Sequence, residues 1–201
     1  FDCRNINQRI PRPSQFLLVR PDDLLTMPST FKHPYVAKLD FRHAFYQIGL
    51  PLDCEKFFSL RCKVGNTERF FSSRVLCMGL SWSTLLQQTY ASVMAYSCPG
   101  GKDQDEFTFI GPGGDGKVPP PYVAVFRKDD KGRQRHCAYI AVYYDDVAII
   151  ANSERVRKLL VDRLTSNADN CGAVLKEAKG GEPGQRVEYF EKKGKLLGME
   201  Y

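Results

Sequence analysis

Two adjacent aspartates, Asp145 and Asp146, interrupt the apolar run Ala141-Val142-Tyr143-Tyr144-Asp145-Asp146-Val147-Ala148-Ile149-Ile150. A strand this hydrophobic should be buried, and neighbouring carboxylates there repel each other and lose hydration. Side chains alternate along a strand, so a tight turn at the pair is the simplest way to bring both acids to one edge. A divalent cation compensates the charge, because hard oxygen ligands suit Mg²⁺. A solvated hairpin turn is the alternative. Asp40 ends a second apolar strand pattern, Tyr35-Val36-Ala37-Lys38-Leu39-Asp40. If the two strands are sheet neighbours, three acids form a two-metal site. Such sites suit in-line phosphoryl displacement, one ion activating a 3′-hydroxyl and the other neutralising a leaving pyrophosphate. The pairs Asp22-Asp23 and Asp129-Asp130 lack a buried strand before them and read as solvated loops.

The elements that must position these acids mix without strict alternation, which predicts an α+β fold. A strand ending near Asp40 is followed by a short helical turn before Pro51. Residues 56–62 and 69–76, with Gly65-Asn66 between them, predict a hairpin. Ser81-Trp82-Ser83-Thr84 supplies N-cap chemistry for a helix over 83–96, with Leu85, Leu86, Tyr90 and Val93 or Met94 at helical spacing. From Pro99 to Pro121 the texture is Gly, Pro and Asp, predicting a long loop or insertion. Its Gly111–Lys117 run mimics a phosphate-binding loop, but Val118 and three prolines rule that out. Strands over 122–127 and 137–143 flank a charged turn. Ser153-Glu154 opens an amphipathic helix to about Asn167, and strands near 172–176, 186–190 and 195–199 follow.

The chain has 201 residues and a net charge of +6, enough for a substantial core and compatible with an anionic partner. No stretch approaches a membrane span or opens as a signal peptide. The seven cysteines are scattered and never spaced C-x-x-C, and the three histidines offer no zinc pairs. Both features predict reduced thiols in an intracellular protein of the cytoplasm or nucleus. The opening at Phe1 and the stop at Tyr201 in mid-pattern read as a piece of a larger polypeptide.

Five motifs carry a family resemblance. The run from Val36 to Ile48, with Lys38-Leu39-Asp40-Phe41 at its centre, resembles the first catalytic motif of reverse transcriptases. Leu76-Cys77-Met78-Gly79-Leu80-Ser81-Trp82-Ser83 resembles their nucleotide-binding turn and helix, and Tyr143-Tyr144-Asp145-Asp146 their Tyr-x-Asp-Asp motif. Asp2-Cys3-Arg4-Asn5-Ile6-Asn7 is similar to a fingers element, and Leu197-Gly198-Met199-Glu200-Tyr201 to the start of the primer-grip hairpin. The phrasing is closest to retrotransposon enzymes, of LTR type or of the tyrosine-recombinase (DIRS or VIPER-like) group. Cys77, Met78 and Thr84 depart from the usual residues, and 99–135 is longer than the usual link.

The resemblance implies a right-hand polymerase palm, an RRM- or ferredoxin-like antiparallel sheet with packed helices, plus partial fingers. Fingers would cover 1–11 and 48–82, and palm 12–47 and 83–201, with the insertion at 99–121 and the primer grip starting at 195–201. It implies RNA-directed DNA polymerase activity with two Mg²⁺ ions, or Mn²⁺ in their place. Asp40, Asp145 and Asp146 would be catalytic metal ligands, joined by the Phe41 carbonyl. Phe45 would exclude a 2′-hydroxyl, although a core aromatic is the plainer reading of its position. Arg4, Met78, Gly79 and Lys176 (or Lys179) would meet the nucleotide. Tyr143, Tyr144, Gly198 and Met199 would lie along primer and template. The implied partners are an RNA or DNA template, a DNA primer, deoxynucleoside triphosphates, and thumb and RNase H domains of a parent polyprotein, with no membrane. An RNA-directed RNA polymerase and a domesticated, non-catalytic palm are the rivals.

Overall fold

The structure, a computed structural model, describes residues 2–97, 107–112, 119–190, 195–196 and 199–200, the last four by backbone alone. In chain order the elements are α1 (Arg4–Asn7), α2 (Pro21–Ser29), β1 (Tyr35–Asp40), β2 (Ser59–Val64), β3 (Thr67–Ser72), α3 (Ser83–Tyr96), β4 (Phe107–Ile110), β5 (Tyr122–Lys128), β6 (Gln134–Tyr143), β7 (Asp146–Ala151), α4 (Glu154–Asn170), β8 (Glu188–Phe190), β9 (Lys195–Leu196) and β10 (Met199–Glu200). Short 3-10 turns lie at Ala44–Gln47 and Leu52–Phe57. Two compact units result, residues 1–15 with 43–87 and residues 16–42 with 88–201.

The second unit is built on one antiparallel sheet of order β4-β5-β6-β7-β1-β8. Its core, β1, α3, β6, β7, α4 and β8 with spatial order β6-β7-β1-β8, follows the βαββαβ ferredoxin-like plan, widened by β5 and β4. The central strand β7 reads as a continuous apolar run because both its faces are covered, and Val147 to Ala151 are fully buried. On one face Leu24 and Met27 of α2, with Val19, pack against Val36, Ala148 and Ile150. Across the other lies α4, which buries Val156, Leu160, Val161 and Leu164 and contacts β7 and β1. The Ser153 hydroxyl accepts from the Val156 N–H and caps α4, which runs three residues beyond its expected end.

Asp22 and Asp23 are not in a loop. Pro21 sets the first helical position of α2, and the Asp23 carboxylate accepts from the Arg20 N–H and guanidinium. The stretch read as a loop over 99–121 contains β4, paired with β5 from Phe107↔Arg127 to Ile110↔Ala124; much of the remainder lies outside the described residues. The strand expected at 172–176 reduces to one bridge, Leu175 with Phe41. On α3 Leu86 is exposed, against expectation, and of the alternatives Val93 and Met94 it is Met94 that is buried, as is Leu85.

The first unit has a small core of Cys3, Phe58, Leu76, Cys77 and Leu80. Its hairpin forms over β2 and β3, a shorter span than expected, with Val64 opposite Thr67. Gly65 fixes the turn by adopting a left-handed φ of 62°. Among the described residues no helix is long and apolar enough to cross a membrane.

Candidate active site

β1 and β7 run antiparallel with Asp40 directly opposite Asp146, so both side chains leave the same face of the sheet. Tyr143 and Asp146 are partners across the β6–β7 hairpin, which makes Tyr144 and Asp145 its two turn residues. The turn therefore sits one residue earlier than the Asp pair, and Asp146 is already the first residue of β7. Two-residue hairpin loops favour a positive φ at their first central position. Tyr144 supplies it at 55°, a conformation that costs an L side chain about 1–2 kcal/mol.

Tertiary bonds hold that conformation. The Gln88 side chain on α3 accepts from the Tyr144 N–H (2.7 Å) and donates to the Val142 carbonyl (3.0 Å). From the other strand, the Phe41 N–H donates to the Asp145 carbonyl (3.0 Å). The segment after α4 zips onto the end of β1: Lys176 N–H donates to the Asp40 carbonyl (2.8 Å) and Arg42 N–H to that of Val174 (2.9 Å).

Two lysines supply the positive charge at this edge. Lys38, on the same face two residues before Asp40, puts its Nζ 2.8 Å from Asp146 Oδ1. Lys176 puts its Nζ 3.1 Å from Asp40 Oδ2. Burial pushes the Asp145 carboxyl above its usual range, its own backbone works against this, and the Asp40 charge adds to the rise. Burial also raises Asp146; the hydrogen bond and charge of Lys38 oppose it, and the charges of Asp40 and Asp145 reinforce it. Burial alone would lower the Lys38 ammonium, but the hydrogen bond to Asp146 and nearby carboxylates carry it above its usual value. The pair is lopsided: Lys38 is stabilised charged, whereas Asp146 still faces two other acids.

Among the described residues no three His, Cys, Asp or Glu side chains converge closely enough to hold a metal as they stand, and ammonium groups lie against two of the acids. The donor set nevertheless suits Mg²⁺. It consists of hard carboxylate oxygens at one strand edge, with Asp145 and Asp146 raised by burial, a charge deficit that a divalent cation makes good. An open cleft of about 320 Å³ runs from Lys38 and Asp40 past Lys176 and Lys179 to Arg186.

Phe41 is buried with its ring beside Tyr90, while Tyr143 is exposed and meets Tyr144 edge-on. Asp40, Phe41, Tyr143, Tyr144, Asp145, Asp146 and Lys176 thus gather at one end of the sheet. Arg4, Phe45, Met78 and Gly79 belong to the other unit. There the Asn7 amide donates to the Gly79 carbonyl (2.9 Å), and its oxygen accepts from the Ser81 N–H (2.8 Å). Gly79 itself has a φ of 91°, which explains the glycine. Ser83 donates to the Cys77 carbonyl (2.6 Å). Met78 is exposed, Arg4 pairs with Asp2, and Phe45 packs against the core of its unit. Gly198 lies outside the described residues. Met199 stands in β10, paired with β9, its side chain undescribed.

Sequence reasoning missed Lys38, Gln88 and the role of Asn7. Alternation along β1 marks Lys38 as sharing a face with Asp40; nothing in the helix pattern marks Gln88 as a clamp.

No curated protein sequence matches the chain. A family model described as reverse transcriptase (RNA-dependent DNA polymerase) matches residues 1–199. With nearly its whole length matched and an α+β architecture to go with it, the chain belongs to the reverse transcriptase family.

Proposed function

We propose that the chain is the fingers–palm core of a retroelement reverse transcriptase, extending a DNA primer on an RNA or DNA template by two-metal-ion phosphoryl transfer. Family membership makes template, primer and deoxynucleoside triphosphates its ligands. The observation that carries the mechanism is the register of β1 and β7, Asp40 facing Asp146 with Asp145 in the adjoining turn. Asp40, Asp145 and Asp146 would hold the ions, aided by the Phe41 carbonyl. Bound Mg²⁺, or Mn²⁺, would supply Lewis acidity to the primer hydroxyl and the departing pyrophosphate. Lys176, with Lys179 and Arg186 along the same cleft, would attract the triphosphate. Arg4, Met78, Gly79 and Phe45 would border the nucleotide, Phe45 excluding a 2′-hydroxyl. Tyr143, Tyr144, Gly198 and Met199 would support primer and template. In this reading residues 1–11 and 48–82 are fingers and 12–47 and 83–201 palm, so the first unit holds the fingers together with palm residues 12–15, 43–47 and 83–87. Thumb and RNase H domains would be covalent partners, in the cytoplasm or nucleus of a cell hosting an LTR or DIRS/VIPER-like element. Affinity for the duplex would be largely electrostatic.

The test is primer extension by the full-length parent protein carrying Asp145→Asn. Extension should fall by more than the roughly 10–100-fold that follows loss of a residue supporting a metal ligand; undiminished extension removes the metal role. One observation favours a rival: ammonium groups already sit on two of the three acids, as a non-catalytic palm would allow. Calorimetric Mg²⁺ titration in the presence of primer-template separates the two, because a palm that binds no metal there cannot use the mechanism.

A further inference from the structure

Lys38 stands between two carboxylates. Toward β7, Asp146 lies on the diagonal from it, with Oδ1 2.8 Å from the Lys38 Nζ. Toward β8, Glu188 is directly opposite, on the same face of the sheet and about 5 Å away between Cβ atoms. Lys38 and Glu188 line one cleft, and the Glu188 charge acts on the Lys38 ammonium alongside those of Asp146 and Asp40. Among the described residues Glu188 forms no ion pair, and its Oε1 accepts from the Lys179 N–H at 3.3 Å. A structural ion pair needs one carboxylate for its ammonium. Here two flank one, and only Asp146 is a proposed metal ligand.

The two lysines of this edge differ in how they can give way. Lys176, on Asp40, has a side chain 48% exposed and can turn its ammonium into water. That of Lys38 is 20% exposed, so an ammonium pushed off Asp146 needs a second counter-charge close by. We propose that Glu188 is that counter-charge: Lys38 sits on Asp146 in the metal-free chain and on Glu188 when Asp146 ligates a divalent cation. The proposal rests on the two-metal reading and deepens it, naming residues that set how tightly this edge takes a cation. An ammonium and a divalent cation on one carboxylate repel each other, and that repulsion drives the move. Asp40 cannot serve, being a proposed ligand itself and already facing Lys176. Glu188 acts through Lys38, and Lys38 through Asp146, so both are positioning residues.

The test is calorimetric titration of Mg²⁺ into the 201-residue chain with primer-template present, the heat of primer-template alone subtracted. Lys38→Met removes the competing ammonium and should tighten Mg²⁺ binding roughly fivefold or more. Glu188→Gln leaves the displaced ammonium without its seat and should weaken binding about tenfold. In the Lys38→Met background the same Glu188→Gln should change the affinity by less than about twofold, because there is no ammonium left to receive. Urea unfolding in EDTA is the second readout. Glu188→Gln should leave the midpoint unchanged there, since Lys38 is then on Asp146 and glutamine still accepts from the Lys179 N–H. Equal weakening in both backgrounds makes Glu188 a distant charge and overturns the proposal while sparing the metal site. So does an affinity that Glu188→Gln does not move, or a midpoint that falls in EDTA, which assigns Glu188 to the fold. Absence of Mg²⁺ binding in both the unaltered chain and Lys38→Met overturns the proposal and the two-metal reading together.

Discussion

Two hairpins of the molecule, β2–β3 and β6–β7, each close with a two-residue loop in opposite surroundings. In β2–β3 the first turn residue is Gly65, at a φ of 62°, and both strands lie in solvent. In β6–β7 it is Tyr144, at 55°, and the strand that follows is fully buried from Val147 to Ala151. Glycine takes the left-handed conformation freely, so the first turn is specified locally. Tyrosine does not, so the second is imposed by what grips it: the Gln88 amide on one side and the end of β1 on the other. Strain of this kind persists where the surroundings over-determine it, and here it falls beside the acids proposed to hold the metal ions.

The largest break in that comparison is Gln88→Ala. It leaves the Tyr144 N–H and the fully buried Val142 carbonyl without their partner, at about 1–3 kcal/mol each, so denaturant unfolding should show a loss of roughly 2–6 kcal/mol. Primer extension should fall as well, because Asp145 loses its fixed position. A variant that keeps both stability and extension would mean the turn holds itself.

Next comes Lys38→Met. The Lys38–Asp146 pair has side chains 20% and 24% exposed, intermediate between a surface pair worth up to about 1 kcal/mol and a buried one whose disruption costs about 3 or more. In EDTA the variant should unfold about 1–3 kcal/mol more easily, since Asp146 is left facing Asp40 and Asp145. With saturating Mg²⁺ and primer-template the deficit should shrink, because the ion supplies the missing charge. An equal deficit with and without the ion would assign Lys38 to packing.

The acid trio was legible because its cost was legible: carboxylates at the end of strands too apolar to be exposed demand compensation, and alternation then puts Asp40 and Lys38 on one face. Helices α3 and α4 were legible from their period. Helix α2 was not, because nine residues with an internal Pro28 and two leading acids resemble a loop until Leu24 and Met27 are seen against the sheet. Strand β4 is four residues in a Gly- and Pro-rich stretch and exists through pairing with β5, which no local pattern reports. The turn was placed one residue late for the same reason. Nothing about Tyr144 announces a positive φ; a glutamine more than fifty residues upstream dictates it.

The smallest effect is the sharpest measure of that difference. At Gly65 an added methyl meets no atom within 4 Å, so Gly65→Ala isolates the conformational cost and should destabilise by about 1 kcal/mol. At the other turn, removing the ring confounds the reading, since Tyr144 stacks edge-on with Tyr143 and Phe16. Comparing Tyr144→Gly with Tyr144→Ala cancels the lost ring and leaves the backbone term. If the clamp enforces the left-handed state, Tyr144→Gly should be more stable than Tyr144→Ala by about the same 1 kcal/mol in urea unfolding. If instead the two are equal, the turn relaxes once the ring is gone. The ring, and not Gln88, would then be what holds Asp145 in place.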